Sequence, residues 1–306
     1  MAAKMTFLKK AKDYQPTDSL KFLLHSHLSG PEKERPLTNI HASELTKPDG
    51  LCPRYYALHD VTAKKPKDRW LSAADIVTYA MGTDLQDAIV HHFADMGRAV
   101  GHWKCTACGK VHQFCKRPGK CENCGCKGFK PEEVRFQSAI SGASCGVDML
   151  VQLGGPKLFP VELKTMIKDQ FAELVAPLQE HRLRTNLYLR LISESEQPWS
   201  NLVSTEEARV LYVCKGGYKA DPELAQWGLP DKFSPFKEFK VKRDDTKTED
   251  MSLRAKVVTD YRKGLIPMPC GVCKTAMVKR AQTCSMKSAC FSGEHPGVHE
   301  WQGSVS

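Results

Sequence analysis

Hydrophobic positions change their period several times along this chain. In "DRWLSAADIVTYAMGTDLQDAIVHHFADMG" apolar residues recur at helical spacing, which predicts a helix from about Ser72 to Met96, with Gly82 in its middle. From Glu133 the period drops to that of strands. Three are predicted, over about Glu133–Ile140, Cys145–Leu153 and Leu158–Met166, with "SGAS" and "LGGPK" as the turns. "QFAELVAPLQEHRLRTNLYLRLISES" then reads as one long amphipathic helix. "EARVLYVCK" and "FKEFKVKRD" read as strands, and "TEDMSLRAKVVTDYRKG" as a helix stopped by Gly264. This order predicts a mixed α/β fold around a central sheet flanked by helices.

Residues 102–130 break the pattern. They are polar, basic and cysteine-rich, with too few aliphatic side chains for a core of their own, and read as a small metal-stapled insert. Residues 1–36 form a helix-prone leader in which "DSLKFLLHSHL" has one apolar face and "SGPEKERP" closes as a loop. Residues 293–306 are a polar tail expected to be flexible. The core therefore comprises 37–101 and 131–292, interrupted by the insert.

Composition narrows the setting. The chain has 306 residues, 41% of them hydrophobic, enough to bury a core. No apolar run is long enough to span a bilayer, so no membrane role is expected. The N-terminus lacks the apolar segment of a secretory signal, which places the protein in a cytoplasm, a host's if it is phage-encoded. A net charge of +10 and a pI of about 8.9 suit a partner with a phosphate backbone, although solubility alone is the blander reason for such a surplus. The 13 cysteines are an odd number, and in a reducing compartment clustered cysteines bind metal more often than they form disulfides. Cys145 and Cys214 lie in apolar strand contexts and read as core thiols.

The chemistry concentrates in one hairpin. In "PVELKT", Glu162 and Lys164 are two apart on a strand and so share a face, while Val161 and Leu163 take the other. Asp148 lies at a similar distance on the far side of the Gly154–Gly155 turn, so antiparallel pairing brings it to Glu162. Two converging carboxylates repel unless a cation separates them. A hard divalent ion, Mg²⁺ or Mn²⁺, prefers such oxygen ligands, and it can polarise a phosphodiester and acidify a bound water. The lysine would stabilise charge developing on the phosphate.

The insert carries Cys105-x-x-Cys108-Gly and Cys121-x-x-Cys124-Gly, paired knuckles with the spacing of a zinc ribbon. Cys115, Cys126, His102 and His112 are spare candidates, and the interleaved lysines make DNA contact a second role. Cys270, Cys273, Cys284 and Cys290 form another group, which by spacing alone makes a second zinc site.

"GVDML" and "PVELKT" together resemble the catalytic hairpin of the PD-(D/E)XK nuclease superfamily, and specifically its RecB-type exonucleases, CRISPR-associated and AddB-like members included. The resemblance covers roughly residues 40–100 and 133–292. It implies a restriction-endonuclease-like core in which Asp148 and Glu162 bind the metal and Lys164 assists hydrolysis. The preceding helix of that family carries Gly-x-x-x-His. Here Gln86 follows Gly82, and its amide oxygen could touch the metal or a bound water, while His91 and His92 read as surface or packing residues. The later helix carries Gln-x-x-x-Tyr. Here Tyr188 matches, and Arg184 departs from the pattern but could contact a phosphate. "CPRYY" and the C-terminal cysteines resemble the family's iron–sulfur staple. That implies a 4Fe–4S cluster on Cys52, Cys273, Cys284 and Cys290, with Cys270 in reserve and a second Zn²⁺ as the alternative. The expected activity is that of a metal-dependent exonuclease on single-stranded DNA or DNA ends, in recombination, repair, replication or spacer acquisition. The alternatives are an endonuclease or nickase on the same core, or a nucleic-acid-binding scaffold that has lost catalysis. Recombination or replication partners are not specified by the sequence.

Overall fold

The computed structural model describes residues 20–28, 30–31, 39–47, 50–62, 70–216, 219–227 and 233–291. The tail expected over 293–306 and the first part of the leader lie outside the described residues. Contacts divide the chain into two units, residues 1–35 with 66–84, and residues 36–65 with 85–306.

The first unit contains α1 (Leu20–Leu28) and β1 (Gly30–Pro31). Strand β1 pairs antiparallel with Trp70–Leu71, so part of the stretch expected to be loop is extended. The second unit opens with β2 (Ile40–His41), α2 (Ala42–Leu45) and α3 (Pro53–Thr62). The Trp70–Leu71 strand is β3, and α4 (Ala73–Asp95) follows within one residue of each predicted end. Its start is capped reciprocally, the Ser72 hydroxyl accepting from the Asp75 amide while the Asp75 carboxylate accepts from the Ser72 amide.

Next come β4 (Ala99–Cys105), β5 (Val111–Cys115), β6 (Phe129–Glu132), β7 (Val134–Gln137), β8 (Ala143–Val147), β9 (Met149–Gln152) and β10 (Leu158–Ile167). Two helices follow, α5 (Lys168–Glu173) and α6 (Gln179–Ser193), and then β11 (Glu207–Lys215). The chain continues through β12 (Lys219–Ala220), α7 (Pro222–Gln226), β13 (Phe233–Ser234) and β14 (Phe236–Lys242). It closes with α8 (Glu249–Arg262), α9 (Lys279–Gln282) and α10 (Lys287–Phe291).

The central sheet runs β14-β11-β10-β9-β4-β5, with β6 also on β4, and it is mixed, β10 and β11 being parallel and the other pairs antiparallel. A smaller sheet runs β2-β8-β7. Helices cover both faces of the central sheet. Ile89, Val90 and Phe93 of α4 pack with Met149, Val151, Val161 and Leu163 on one face. Leu187, Tyr188 and Leu191 of α6 pack with Val147, Leu150 and Leu158 on the other. The mixed α/β layout predicted from the hydrophobic periods is the observed one.

Two elements differ from the sequence reading. The predicted helix over "QFAELVAPLQEH…" is two helices, because Pro177 has no amide hydrogen to donate and its ring bars the preceding residue from helical backbone. The residues that bound the gap, Leu174 and Leu178, take extended ψ values of 109° and 141°. The predicted strand Cys145–Leu153 breaks at Asp148, since its first half pairs with β7 and its second half with β10.

Helix α6 is the apolar support of one sheet face, so truncating its buried side chains opens a cavity. Leu187→Ala should lower unfolding stability by about 2–5 kcal/mol, whereas the exposed Leu202→Ala should change it by less than about 0.5 kcal/mol. Denaturant titration of both variants measures the contrast.

Candidate metal centre and cysteine sites

The end of β9 creates the site. Val161 of β10 is opposite Met149, and beyond that pair the chain of β9 turns off into β8. The far side of β10 stays hydrogen-bonded to β11 from Val161 to Ile167. On the vacated side, Leu163 presents an amide and a carbonyl with no strand to meet them, and side chains take the strand's place. The Asp148 carboxylate accepts the Leu163 N–H at 2.7 Å. The Gln86 amide donates to the Leu163 carbonyl at 2.8 Å, and Lys164 Nζ donates to the same oxygen at 3.1 Å.

Strand alternation aims Glu162 and Lys164 at α6. Glu162 is only 1% exposed. Its Oε1 pairs with Lys164 Nζ at 2.6 Å and lies 3.4 Å from Arg184 Nη1, while Arg184 Nη2 reaches Glu180 at 2.5 Å. Glu162 Oε2 is buried and has no hydrogen-bond partner. Leaving a buried charged acceptor unmet costs roughly 1–3 kcal/mol or more. An oxygen in that condition, with the Asp148 carboxyl near enough to feel the Glu162 charge, fits a bound cation.

The electrostatics agree. Burial raises the Asp148 carboxyl to about 7, the Glu162 charge adds to the rise, and Lys164 opposes it. Tyr188 is buried, and desolvation together with the negative Glu162 and Asp148 pushes its hydroxyl well above its ordinary range. It stays a neutral phenol. Sequence reasoning passed over His181. Its Nδ1 is hydrogen-bonded to the hydroxyl of Tyr212 at 2.8 Å, and that hydroxyl accepts the Leu178 N–H at 3.0 Å. Burial, with Lys164 and Arg184 nearby, lowers the ring to about 4, so it is a neutral imidazole beside the carboxylates. Its position on the turn of α6 before Arg184 is the signal that could have found it. His91, by contrast, puts both ring nitrogens near carbonyl oxygens, of Asp87 at 2.7 Å and Phe129 at 3.0 Å, and stacks edge-on with Trp103.

The ribbon knuckles are closed. Cys105, Cys108, Cys121 and Cys124 form, among the described residues, the one set of three or more potential ligands within 4.8 Å of one another. Cys105 and Cys124 sulfurs are 3.5 Å apart and those of Cys108 and Cys121 3.6 Å. Zinc–sulfur bonds of about 2.3 Å in a tetrahedron put sulfurs about 3.8 Å apart, so the cavity is sized for one ion. The two knuckles share a geometry. Gly109 and Gly125 take φ of 73° and 70°, and donate to the Cys105 and Cys121 carbonyls. The Lys110 amide and the Asn123 side chain lower the Cys108 thiol to about 6, which prepares a thiolate. The spare residues are engaged elsewhere. Cys126 accepts from the Gly128 amide at 3.3 Å, His102 accepts from the Phe114 amide at 3.0 Å, and His112 packs on Phe129.

Cys52, Cys273, Cys284 and Cys290 line a second, more open cavity between α3 and the C-terminal segment, while Cys270 is not among its lining residues. Burial raises the Cys290 thiol, Arg54 opposes the rise, and the neighbouring Cys52, Cys284 and Cys273 add to it. Arginines hold this region together, Arg254 donating to the Leu51 carbonyl at 3.1 Å and Arg280 to that of Gly50 at 2.7 Å. A groove of about 1220 Å³ lies elsewhere, lined by Ile89, Phe93, Phe171, Leu211 and Trp227 among others, and none of Asp148, Glu162 and Lys164 lines it.

No family model and no curated protein matches the chain. Among solved structures, the chain is similar to SSO0001 with 13% identity and a TM-score of 0.31, covering 78% of this chain and 81% of that one. It is also similar to LHK-Exo in complex with dAMP, with 12% identity and a TM-score of 0.38, covering 74% of this chain and 89% of that one. Likenesses this distant leave the functional argument to the residues.

The raised Asp148 carboxyl has a consequence for the metal-free protein. The folded state keeps this proton up to about pH 7, whereas the unfolded chain releases it near 3.8. The folded state therefore binds more protons in between, and stability falls as pH rises through that window. Asp148→Asn should be more stable than wild type, by a margin that grows from about pH 4 to pH 7 and is level above. Thermal unfolding without added divalent cations measures it.

Proposed function

We propose that this chain is a divalent-cation-dependent nuclease that hydrolyses DNA, acting as an exonuclease on single strands or exposed ends. The observation that carries the reading is the buried, unpartnered Glu162 Oε2, on a residue near enough to Asp148 for its charge to raise that carboxyl. Asp148 and Glu162 would hold Mg²⁺ or Mn²⁺, which when bound polarises a phosphodiester and acidifies a coordinated water. Lys164 places its ammonium 2.6 Å from Glu162, where it balances charge building on the phosphate. Arg184 extends that positive field toward the substrate from α6, and its fork is suited to phosphate oxygens. Gln86 fixes the Leu163 carbonyl, and Tyr188 packs beneath the carboxylates as a neutral phenol. The exonuclease preference rests on the resemblance to RecB-type enzymes.

The ribbon thiols would hold structural Zn²⁺. The chain-end cysteines Cys52, Cys273, Cys284 and Cys290 are spread wider than a single ion needs, which favours a 4Fe–4S cluster over a second zinc. Such a cluster would join α3 to the C-terminal segment. Recombination, repair, phage replication and spacer acquisition are processes that use this activity.

The test is digestion of end-labelled single-stranded, linear duplex and closed circular DNA with Mg²⁺ or Mn²⁺. Strands with ends should be degraded and circles spared, and Glu162→Gln and Lys164→Ala should each lower kcat/KM at least about a hundredfold. Cutting of circles would replace the exonuclease with an endonuclease or nickase. Binding without cleavage of any substrate would leave a non-catalytic scaffold.

Protein purified anaerobically should be brown, with visible absorbance lost in Cys52→Ala. A colourless preparation with two zinc ions per chain would assign the second site to zinc.

A further inference from the structure

The ribbon concentrates charge. Residues 102–130 hold seven lysines and arginines against Glu122 alone, a net +6 of the chain's +10. A zinc ion on four thiolates contributes −2, which still leaves the ribbon at +4. Three of the basic side chains are in ion pairs, Lys104 with Glu132, Lys110 with Glu122 and Arg117 with Asp95. Lys116, Lys120, Lys127 and Lys130 are exposed, and no carboxylate among the described residues pairs with them.

Register places this charge at the catalytic end of the sheet. Both β4 and β10 run antiparallel to β9, with Val100 opposite Leu150 and Val161 opposite Met149. Both strands then continue past the point where β9 ends. Counting on in register, His102 falls near the level of Glu162 and Cys105 near that of Thr165, with a register shift against β5 between Gly101 and Trp103. Two strand spacings across and three residues along amount to about 10 Å each, so the first knuckle stands about 14 Å from Glu162. At the rise of a stacked strand, about 3.4 Å per nucleotide, that is about four nucleotides, and fewer for an extended strand.

The ribbon is also fixed in place. Trp103, Cys105, Cys121 and Phe129 share a core with Ile89 and Val90 of α4, the helix that carries Gln86. On the opposite face Phe114 stacks on Trp199, with centroids 5.4 Å apart and planes within 15°. Lysines on such a mount keep a set distance from the carboxylates.

We propose that the ribbon is a DNA-backbone grip, which holds the phosphates of a strand about four stacked nucleotides, or fewer extended ones, from the Asp148–Glu162 site. This rests on the nuclease reading for what happens at that site, but not for the grip itself. The experiment compares wild type with Lys116→Gln/Lys120→Gln/Lys127→Gln and with the charge-retaining arginine triple at the same positions. Fluorescence anisotropy with a labelled 20-nucleotide oligothymidylate, without added Mg²⁺ or Mn²⁺, reads the grip independently of catalysis. The glutamine variant should bind at least about tenfold more weakly, and its log–log salt slope should be shallower by about 2, from about 0.7 per lost phosphate contact on a single strand. The arginine variant should restore both, and zinc content should equal wild type in all three. With Mn²⁺, hydrolysis of the 20-mer should show a raised KM, while hydrolysis of a dinucleotide, too short to span the site and the ribbon even when extended, should keep wild-type kinetics. Unchanged affinity and slope in a zinc-loaded glutamine variant would overturn the proposal. So would an equal loss on the dinucleotide, since the lysines would then act at the site itself. A wild-type protein that binds with the lysine-dependent slope but cuts nothing would support the grip and remove the nuclease reading.

Discussion

Leu163 sits where β10 has lost a neighbouring strand, and its unmet amide and carbonyl organise the centre. A strand edge in a protein interior must find hydrogen bonds or carry a desolvation cost. Here Asp148 and Gln86 meet it with side chains. The backbone requirement therefore positions a carboxylate and an amide beside the next residues of β10, Glu162 and Lys164. The site is a by-product of how the sheet ends. Strand alternation does the rest, because it sends Val161 and Leu163 into the α4 core and leaves the charged pair facing α6.

The tension in this arrangement is electrostatic. Glu162 is buried, yet one of its oxygens lacks a donor, and Asp148 opposite keeps its proton well above the usual carboxylate range. Lys164 and Arg184 relieve one oxygen only. Two carboxylates so placed are poorly stabilised without a cation, which is the cost that a bound divalent ion would relieve.

Much of the frame was legible because it depends on local periods. The turn at Gly154–Gly155 and the alternation of "PVELKT" set the pairing of β9 with β10, Met149 opposite Val161, since a strand with one buried face has little freedom of register. The break at Asp148 was not legible, because "SCGVDMLV" reads as one apolar strand and only its two partners reveal the change of sheet. Pro177 should have ended the predicted long helix on covalent grounds, and the strong apolar pattern on either side concealed it. His181 has a local signal in its place one turn before Arg184 on α6, but its contact with Tyr212, 31 residues away on β11, is one that no local pattern carries. Among thirteen cysteines, spacing identified the compact knuckles directly, whereas the chain-end set joins residues more than two hundred positions apart and needed a resemblance to be seen.

The ribbon changes what the sheet is for. Its sequence suggested an appendage without a core, and it has none of its own, but its large side chains complete the core beneath α4. One helix thereby touches both Leu163, through Gln86, and Phe129, beside His91. A disturbance of the knuckles has a short physical route to the Leu163 carbonyl, through packed side chains and about one and a half turns of helix. Removing a metal from such a module would act on the centre as well as on the module. That coupling follows from strands β4 and β10 sharing a sheet, and a ribbon tethered by a flexible linker would not have it.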